Sequence, residues 1–401
     1  MNGDAQGREL ADRSRFRVSP RELADRFKAR FGAIATIVQA PGRVNLLGEH
    51  TDYNDGFVMP CAIDFVAQIA VAPREDCRLI LYSDEYPQEF EFAIDDLPVK
   101  PLGAWCDNLL GVAHALRGEG VVLAGASMLL HSDVPIGSGL SSSAAVEVGT
   151  ALALLSVAKA SLPLSRVAQL CQSAENRFIN AQVGIMDPFV SCMGVAGHAI
   201  QLDCRSLAFE TVPIPADLRL VIANTMVKHK HAGGEYNQRR KECEEGLGVF
   251  KKRQPSIRSL RDVTSAELER YGADLAPLIR NRVTHVVREN ERVLAFGRAL
   301  REDDRAAIAR GMAESHASLR DLYQVSCPEL DLMVELAQSL PGFCGGRMTG
   351  GGFGGCTINL VQASDAERFA GRLAEAYQNE TRVRPDVYIC SATRGAHVEP
   401  A

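Results

Sequence analysis

"DVPIGSGLSSSAAVEV" occupies residues 133–148. The apolar stretch "GASMLLHSDVP" that leads into it reads as a strand, and "SSAAVEVGTALALLSVAKA" reads as a long apolar helix. Between them, Gly137 and Gly139 let the backbone come close to a ligand. A loop that opens a helix presents free N–H groups, and the helix start adds about half a positive charge, so phosphate is its natural ligand. The loop has no lysine and is not a Walker A motif. Ser142 stands where the third glycine of a dinucleotide fingerprint belongs. A simpler reading stays open beside phosphate binding: a Gly–Ser turn in which Ser141, Ser142 and Ser143 serve as helix N-caps.

Working outward, "RELADRFKARFG" places Leu23, Phe27 and Phe31 at four-residue spacing with Gly32 as a stop, which predicts a helix. Residues 34–100 run in short apolar or alternating stretches, as in a mostly β half-domain. "WCDNLLGVAHALRGEG" and "PLSRVAQLCQSAENRFI" read as helices, and "AIQLDCRS" and "RLVIANT" as strands. Residues 237–340 are helical and charged. Two late strands, "GCTINLVQ" and "DVYICSA", flank the helix "DAERFAGRLAEAYQN". The reading is an α/β (α+β) chain of two closely packed domains, 20–210 and 211–401, after a frayed extension at 1–19.

Composition excludes several classes. The chain has 401 residues, 46% of them hydrophobic and 23% charged, enough for two sizeable cores. A net charge of −6 gives no general attraction to nucleic acid or anionic lipid. No apolar run approaches the roughly 20 residues of a membrane span, since Glu147 and Lys159 close off "VGTALALLSVA". The charged N-terminus lacks the apolar core of a signal peptide. Eleven cysteines without a C-x-x-C pair read as free, mostly buried thiols in a reducing cytoplasm. His229 and His231, two apart, would share a face of a strand, a weak pointer to metal.

Three further stretches carry chemistry. "LLGEHTDYND" (47–56) crowds Glu49, His50, Asp52, Asn54 and Asp55 into one segment between strand-like flanks. "GGRMTGGGFGGCTINLV" (345–361) has seven glycines in its first eleven residues and runs directly into a strand, which points to close backbone approach rather than to a linker. In "VGIMDPF", Asp187 before Pro188 is by itself a good helix N-cap followed by proline at the first helical position.

"PGRVNLLGEHTDYNDGFVMPCAI", "PIGSGLSSSAAVEV" and "GRMTGGGFGGC" resemble, in order and spacing, the three motifs of the GHMP small-molecule kinases, and the first resembles the galactokinase signature within that group. "HAGGEYNQRRKECE" and "ESHASLRDLYQVSCPELD" are similar to galactokinase segments as well, so the resemblance spans about residues 20–395. It implies a two-domain GHMP-kinase fold with the active site in the interdomain cleft. The implied reaction is ATP-dependent phosphorylation of the anomeric hydroxyl of galactose. By the same resemblance Asp187 is the catalytic aspartate and Arg43 the arginine beside it. Glu49, His50, Thr51, Asp52, Gly184 and Tyr236 would face the sugar. ATP would lie on Gly137, Ser138, Gly139, Leu140, Ser141, Ser142 and Ser143, and Mg2+ on Ser143 and Glu175. Chemistry agrees: a hydroxyl–carboxylate bond is about twice as strong as a neutral one, a neighbouring arginine keeps an aspartate ionised, and magnesium needs only one or two hard protein oxygens. Pro188 departs from the family, which commonly has Gln there. Two alternatives remain: a kinase for a related sugar such as N-acetylgalactosamine, arabinose or a uronic acid, or a non-catalytic sensor of sugar and nucleotide.

Overall fold

The computed structural model describes residues 17–135, 137–228 and 232–399. Helix α1 (Pro20–Phe31) begins at Ser19, whose side chain accepts from the Glu22 N–H, and stops at Gly32 in the left-handed region, φ 69°. Strand β1 (Thr36–Asn45) is followed by a short β2 (Phe57–Val58), the long β3 (Pro60–Arg74), β4 (Arg78–Ser83) and β5 (Phe90–Ala93). Then come α2 (Asp107–Gly118), β6 (Gly125–Ser132), α3 (Ser142–Val157), α4 (Leu164–Ala174), α5 (Met186–Met193), β7 (His198–Asp203) and β8 (Phe209–Pro213). β1 and β3 pair antiparallel, β6 runs antiparallel to β3, and β4 lies parallel to β6. α1 buries Leu23 and Phe27 against Ile37, Ala70 and Leu129 on one face of this sheet. α3 covers the other, and because it is enclosed by strands and helices it is apolar nearly all round.

The second half starts with β9 (Leu218–Lys228) and α6 (Ala232–Arg253), then α7 (Ser265–Tyr271), α8 (Pro277–Glu302), α9 (Arg305–Ser318) and α10 (Pro328–Gln338). β10 (Phe343–Thr349), β11 (Gly354–Gln362), α11 (Ala366–Thr381), β12 (Asp386–Cys390) and β13 (His397–Val398) complete the chain. β10, β11, β9 and β12 form a four-stranded antiparallel sheet in that order, and β2, β7 and β8 a three-stranded one. β13 returns to the first sheet and pairs with β1, so that sheet has the order β13-β1-β3-β6-β4-β5. One apolar core runs through both halves: Leu46, Met59 and Phe189 belong to the same cluster as Phe296, Met312, Ile358 and Cys390.

Two expectations change. Residues 17–19 belong to the folded body rather than to a frayed extension, since Val18 is buried, its carbonyl accepts from Gln68 and Ser19 caps α1. Asp187 is not the cap of α5: Ile185 is, and Asp187 is the second helical residue, with Pro188 third. Residues 1–16 and the His229/His231 pair lie outside the described residues. No disulfide joins any of the eleven cysteines, and only Cys77 is exposed. No helix among the described residues is long and apolar enough to cross a membrane.

Candidate active site

A break in strand register begins the site. Between Pro41 and Arg43 the pairing of β1 with β3 shifts, as at a β-bulge, and the Arg43 N–H donates to Leu140 O at 3.0 Å. A side chain on Gly42 would meet that same carbonyl at 2.7 Å, so the bulge fixes β1 against the 137–140 loop. Arg43 is buried and donates through Nε to Asp187 Oδ1 (2.7 Å), through Nη2 to Asp187 Oδ2 (2.6 Å) and through Nη1 to Gly139 O (2.6 Å). Burial works against the guanidinium charge, but the Asp187 carboxylate more than offsets it and raises the Arg43 pKa.

The α3 N-terminus faces the same point. Ser141 holds the N-cap position at φ 60°, but its hydroxyl donates to Asp187 instead of capping the helix. The N-cap reading of this serine is therefore replaced, and the first N–H groups of α3 keep their capacity for an anion. Gly137 (φ 70°) and Gly139 (φ 78°) take backbone conformations that other residues rarely adopt. Opposite them, a side chain on Gly350 would lie 3.7 Å from Gly139 O, and one on Gly352 would strike Val325 O at 2.2 Å. The close approach expected of the second glycine run is thus to the chain's own loops. Arg43, Asp187, Gly137, Gly139, Leu140, Ser141–Ser143, Gly350 and Gly351 line one cleft of about 500 Å³ whose far wall is Tyr86, Trp105 and Asn108. Ser138 is buried just behind it, in a neighbouring pocket with Gly355 and Cys356. Two larger clefts, of about 610 and 640 Å³, contain none of the expected site residues.

Ser143, at the start of α3, meets Glu175, in the turn directly after α4, Oγ donating to Oε1 at 3.3 Å. Burial, reinforced by Asp187, pushes the Glu175 carboxyl up to about 7. Two adjacent hard oxygens suit a divalent cation that keeps most of its water, so these residues fit Mg2+. One turn along α3 lies Glu147, fully buried, with neither carboxylate oxygen hydrogen-bonded among the described residues; burial and then Glu175 push its pKa well up.

The expected sugar residues divide by what already holds them. Asp52 follows a tight turn and packs on Gly184, where a Cβ would lie 1.7 Å from Asp52 Oδ2, so only glycine fits at 184. Burial, then the charges of Asp187 and Glu49, raise the Asp52 carboxyl to about 7. Tyr236, near the start of α6, sets its ring 5.5 Å from His50 and edge-on to Tyr53 at 5.4 Å. Glu49 is occupied by protein. It accepts from Asn45 Nδ2 (2.9 Å), Arg347 Nη2 (2.9 Å) and the Gly350 N–H (2.7 Å), with Thr349 Oγ1 at 3.2 Å. His50 is likewise engaged, Nδ1 with Tyr53 OH (2.8 Å) and Nε2 with Gly351 O (3.2 Å). Burial lowers its pKa to about 3 and keeps it neutral. Since a carbonyl only accepts, Nε2 carries the proton and Nδ1 accepts from Tyr53. Thr51 Oγ1 closes the turn between Gly48 O and Phe57 O. Glu49, His50 and Thr51 thus hold the loop, while Asp52, Gly184 and Tyr236 are partly exposed.

Sequence reading missed Tyr86, Trp105, Asn108, Arg347 and Glu147. Glu147 left a trace as the one charge inside an apolar helix, and Trp105 as the single tryptophan of the chain. Arg347 left none beyond its place in the glycine-rich run.

Known proteins share this sequence and fold. A galactokinase galactose-binding signature matches residues 25–73, the N-terminal domain of GHMP kinases residues 108–195, and the GHMP C-terminal domain residues 298–379. The chain is 44% identical over 375 residues to a galactokinase of Roseiflexus sp. (strain RS-1), covering 93% of this chain and 96% of that protein. It is 42% identical over 370 residues to one from Chloroflexus aurantiacus, covering 92% and 95%. The crystal structure of Lactococcus lactis galactokinase complexed with galactose superposes with a TM-score of 0.90 at 32% identity, covering 94% of this chain and 98% of that one. A mevalonate kinase at 19% identity and TM-score 0.63, covering 89% and 99%, shares the fold. The chain belongs to the galactokinase family of the GHMP kinases.

Proposed function

We propose that this galactokinase-family enzyme transfers the γ-phosphoryl group of ATP to the anomeric hydroxyl of galactose, with Asp187 receiving the hydroxyl proton. The observation that carries this is the Asp187 carboxylate, gripped by Arg43 and Ser141 and facing the uncapped N-terminus of α3. The sugar lies on Asp52, Gly184 and Tyr236, so that its hydroxyl reaches Asp187 while its other hydroxyls meet the Asp52 carboxylate. The triphosphate lies along Gly137–Ser143. As the sugar oxygen bonds to the γ-phosphorus and the bond to the β-phosphate oxygen breaks, the α3 N–H groups and Arg43 stabilise the charge on the transferring oxygens. Ser143 and Glu175 would hold Mg2+, which when bound would supply further neutralisation of the phosphates. From residue 17 onward the folded chain divides near residue 210 into two units that meet at the cleft, and the buried, unbridged thiols suit a reducing cytoplasm.

A panel of sugars with ATP and magnesium, read by ADP release, tests the substrate. Galactose should give the highest kcat/KM. Faster turnover of N-acetylgalactosamine or arabinose would replace galactose in this reading, and no ADP release with any sugar would make the chain a sensor.

A further inference from the structure

We propose that Glu85 selects the nucleobase by accepting a hydrogen bond from the 6-amino group of adenine at the outer end of the cleft. The inference rests on the nucleotide site proposed above and extends it to the base.

Phosphates at the α3 N-terminus leave the other end of the cleft for the nucleoside, and that end is built to hold a flat ring. Tyr86 and Trp105 lie parallel there, 6.0 Å apart with 3° between their planes. The Trp105 indole N–H donates to Gln88 O at 2.8 Å, and Phe90 meets the indole edge-on at 5.9 Å, so the platform is fixed. Leu130 and Val146 add apolar wall.

Glu85 lines the same cleft immediately after β4 and is itself held rigidly. Its Oε1 accepts from the Ser132 N–H at 2.8 Å and lies 3.1 Å from His131 Nδ1, while its Oε2 accepts from Ser83 Oγ at 2.8 Å. A carboxylate has about four acceptor positions. Among the described residues these contacts occupy three and leave one on Oε2. Burial alone would raise the Glu85 pKa, but His131 and Ser132 more than offset it and keep the group ionised. An ionised carboxylate only accepts. It therefore favours a 6-amino purine, whose amine donates, over a 6-oxo purine, whose oxygen would face its lone pairs.

ATP and inosine triphosphate differ at just this edge. Because Trp105 is the only tryptophan, its fluorescence reports binding at the platform directly. Wild-type enzyme and Glu85→Gln should be titrated with both nucleotides by fluorescence, and kcat/KM measured for each with galactose. The amide of Gln can donate as well as accept, so the ATP preference should fall about 10- to 100-fold, the range of a charge-assisted hydrogen bond. Equal losses for both nucleotides would mean that Glu85 merely ties β4 to β6, and would overturn the proposal while leaving the nucleotide site intact. A loss that disappears with 2′-deoxy-ATP would assign the carboxylate to the ribose and overturn it too. Turnover without any Trp105 response to ATP in the wild type would overturn both this inference and the cleft assignment.

Discussion

Asp187 shares its two oxygens between Arg43 and Ser141, which makes its charge and its position separable by mutation. Asp187→Asn keeps the shape but neither holds a full negative charge beside Arg43 nor accepts a proton at neutral pH. We expect kcat to fall roughly 10²–10⁴-fold, the usual contribution of a positioned base, with galactose and ATP binding retained within a few-fold by calorimetry. Because the side chain does not cap α5, its loss acts through Arg43, at a stability cost of about 1–3 kcal/mol. Near-normal kcat in a folded variant would remove Asp187 from the chemistry. Asp52 supports a pH prediction. Its carboxyl is raised to about 7 by burial, so in the free enzyme the charged hydroxyl acceptor appears only as pH rises through that value. Galactose affinity should climb about ten-fold between pH 6 and 8, and Asp52→Asn should flatten the profile. For stability the sign is the reverse: a raised carboxyl favours the fold below the unfolded pKa near 4, and that contribution is lost as pH rises through about 7.

At the scale of elements, the 47–56 loop is held by the second half of the chain. Arg347, fully buried on β10, donates to Leu46 O (2.8 Å), Asn45 O (3.0 Å) and Glu49 Oε1 (2.9 Å), while Glu289 on α8 accepts from the Gly48 N–H at 3.0 Å. Removing one partner of a buried pair leaves the other charge uncompensated. Arg347→Met should therefore cost about 3–5 kcal/mol in denaturant unfolding and raise the galactose KM more than the ATP KM. A loss under about 1 kcal/mol would mean the loop stands without this anchor. Ser143→Ala and Glu175→Ala act at the other pair of elements, α3 and the turn after α4. Each should lower activity and shift the magnesium requirement upward, with partial rescue at high magnesium, because each removes one hard oxygen from a site that has few. Unchanged magnesium dependence in both variants would place the cation elsewhere.

Across the whole molecule, the two halves are tied by a common core and by the return of β13 to β1. Halves that share buried apolar surface lose it together. Thermal unfolding followed by Trp105, which lies in the first half, and by far-UV ellipticity, which reports mainly the helical second half, should give coincident transitions. Two separated midpoints would show that the halves unfold independently.

Local pattern determined the strand–loop–helix at 125–157, α1 with its stop at Gly32, and the glycine run before β11. Each is a matter of periodicity, capping or backbone freedom within a few residues, and the three polar or glycine-rich stretches were legible for the same reason. Tertiary structure decided the division of labour inside them. Glu49, His50, Thr51 and Asp52 look equivalent as letters. Only packing shows that Arg347 and Gly350 occupy Glu49 and that Tyr53 and Gly351 occupy His50, while Asp52 sits against Gly184. Likewise the dipeptide Asp187–Pro188 carries a capping preference, which yielded to the paired attraction of a buried guanidinium and a serine hydroxyl brought from 144 and 46 residues away. Short-range propensity is worth about 1 kcal/mol per residue. A buried charge left without its partner costs several, and partners that far apart in sequence meet only in the folded chain.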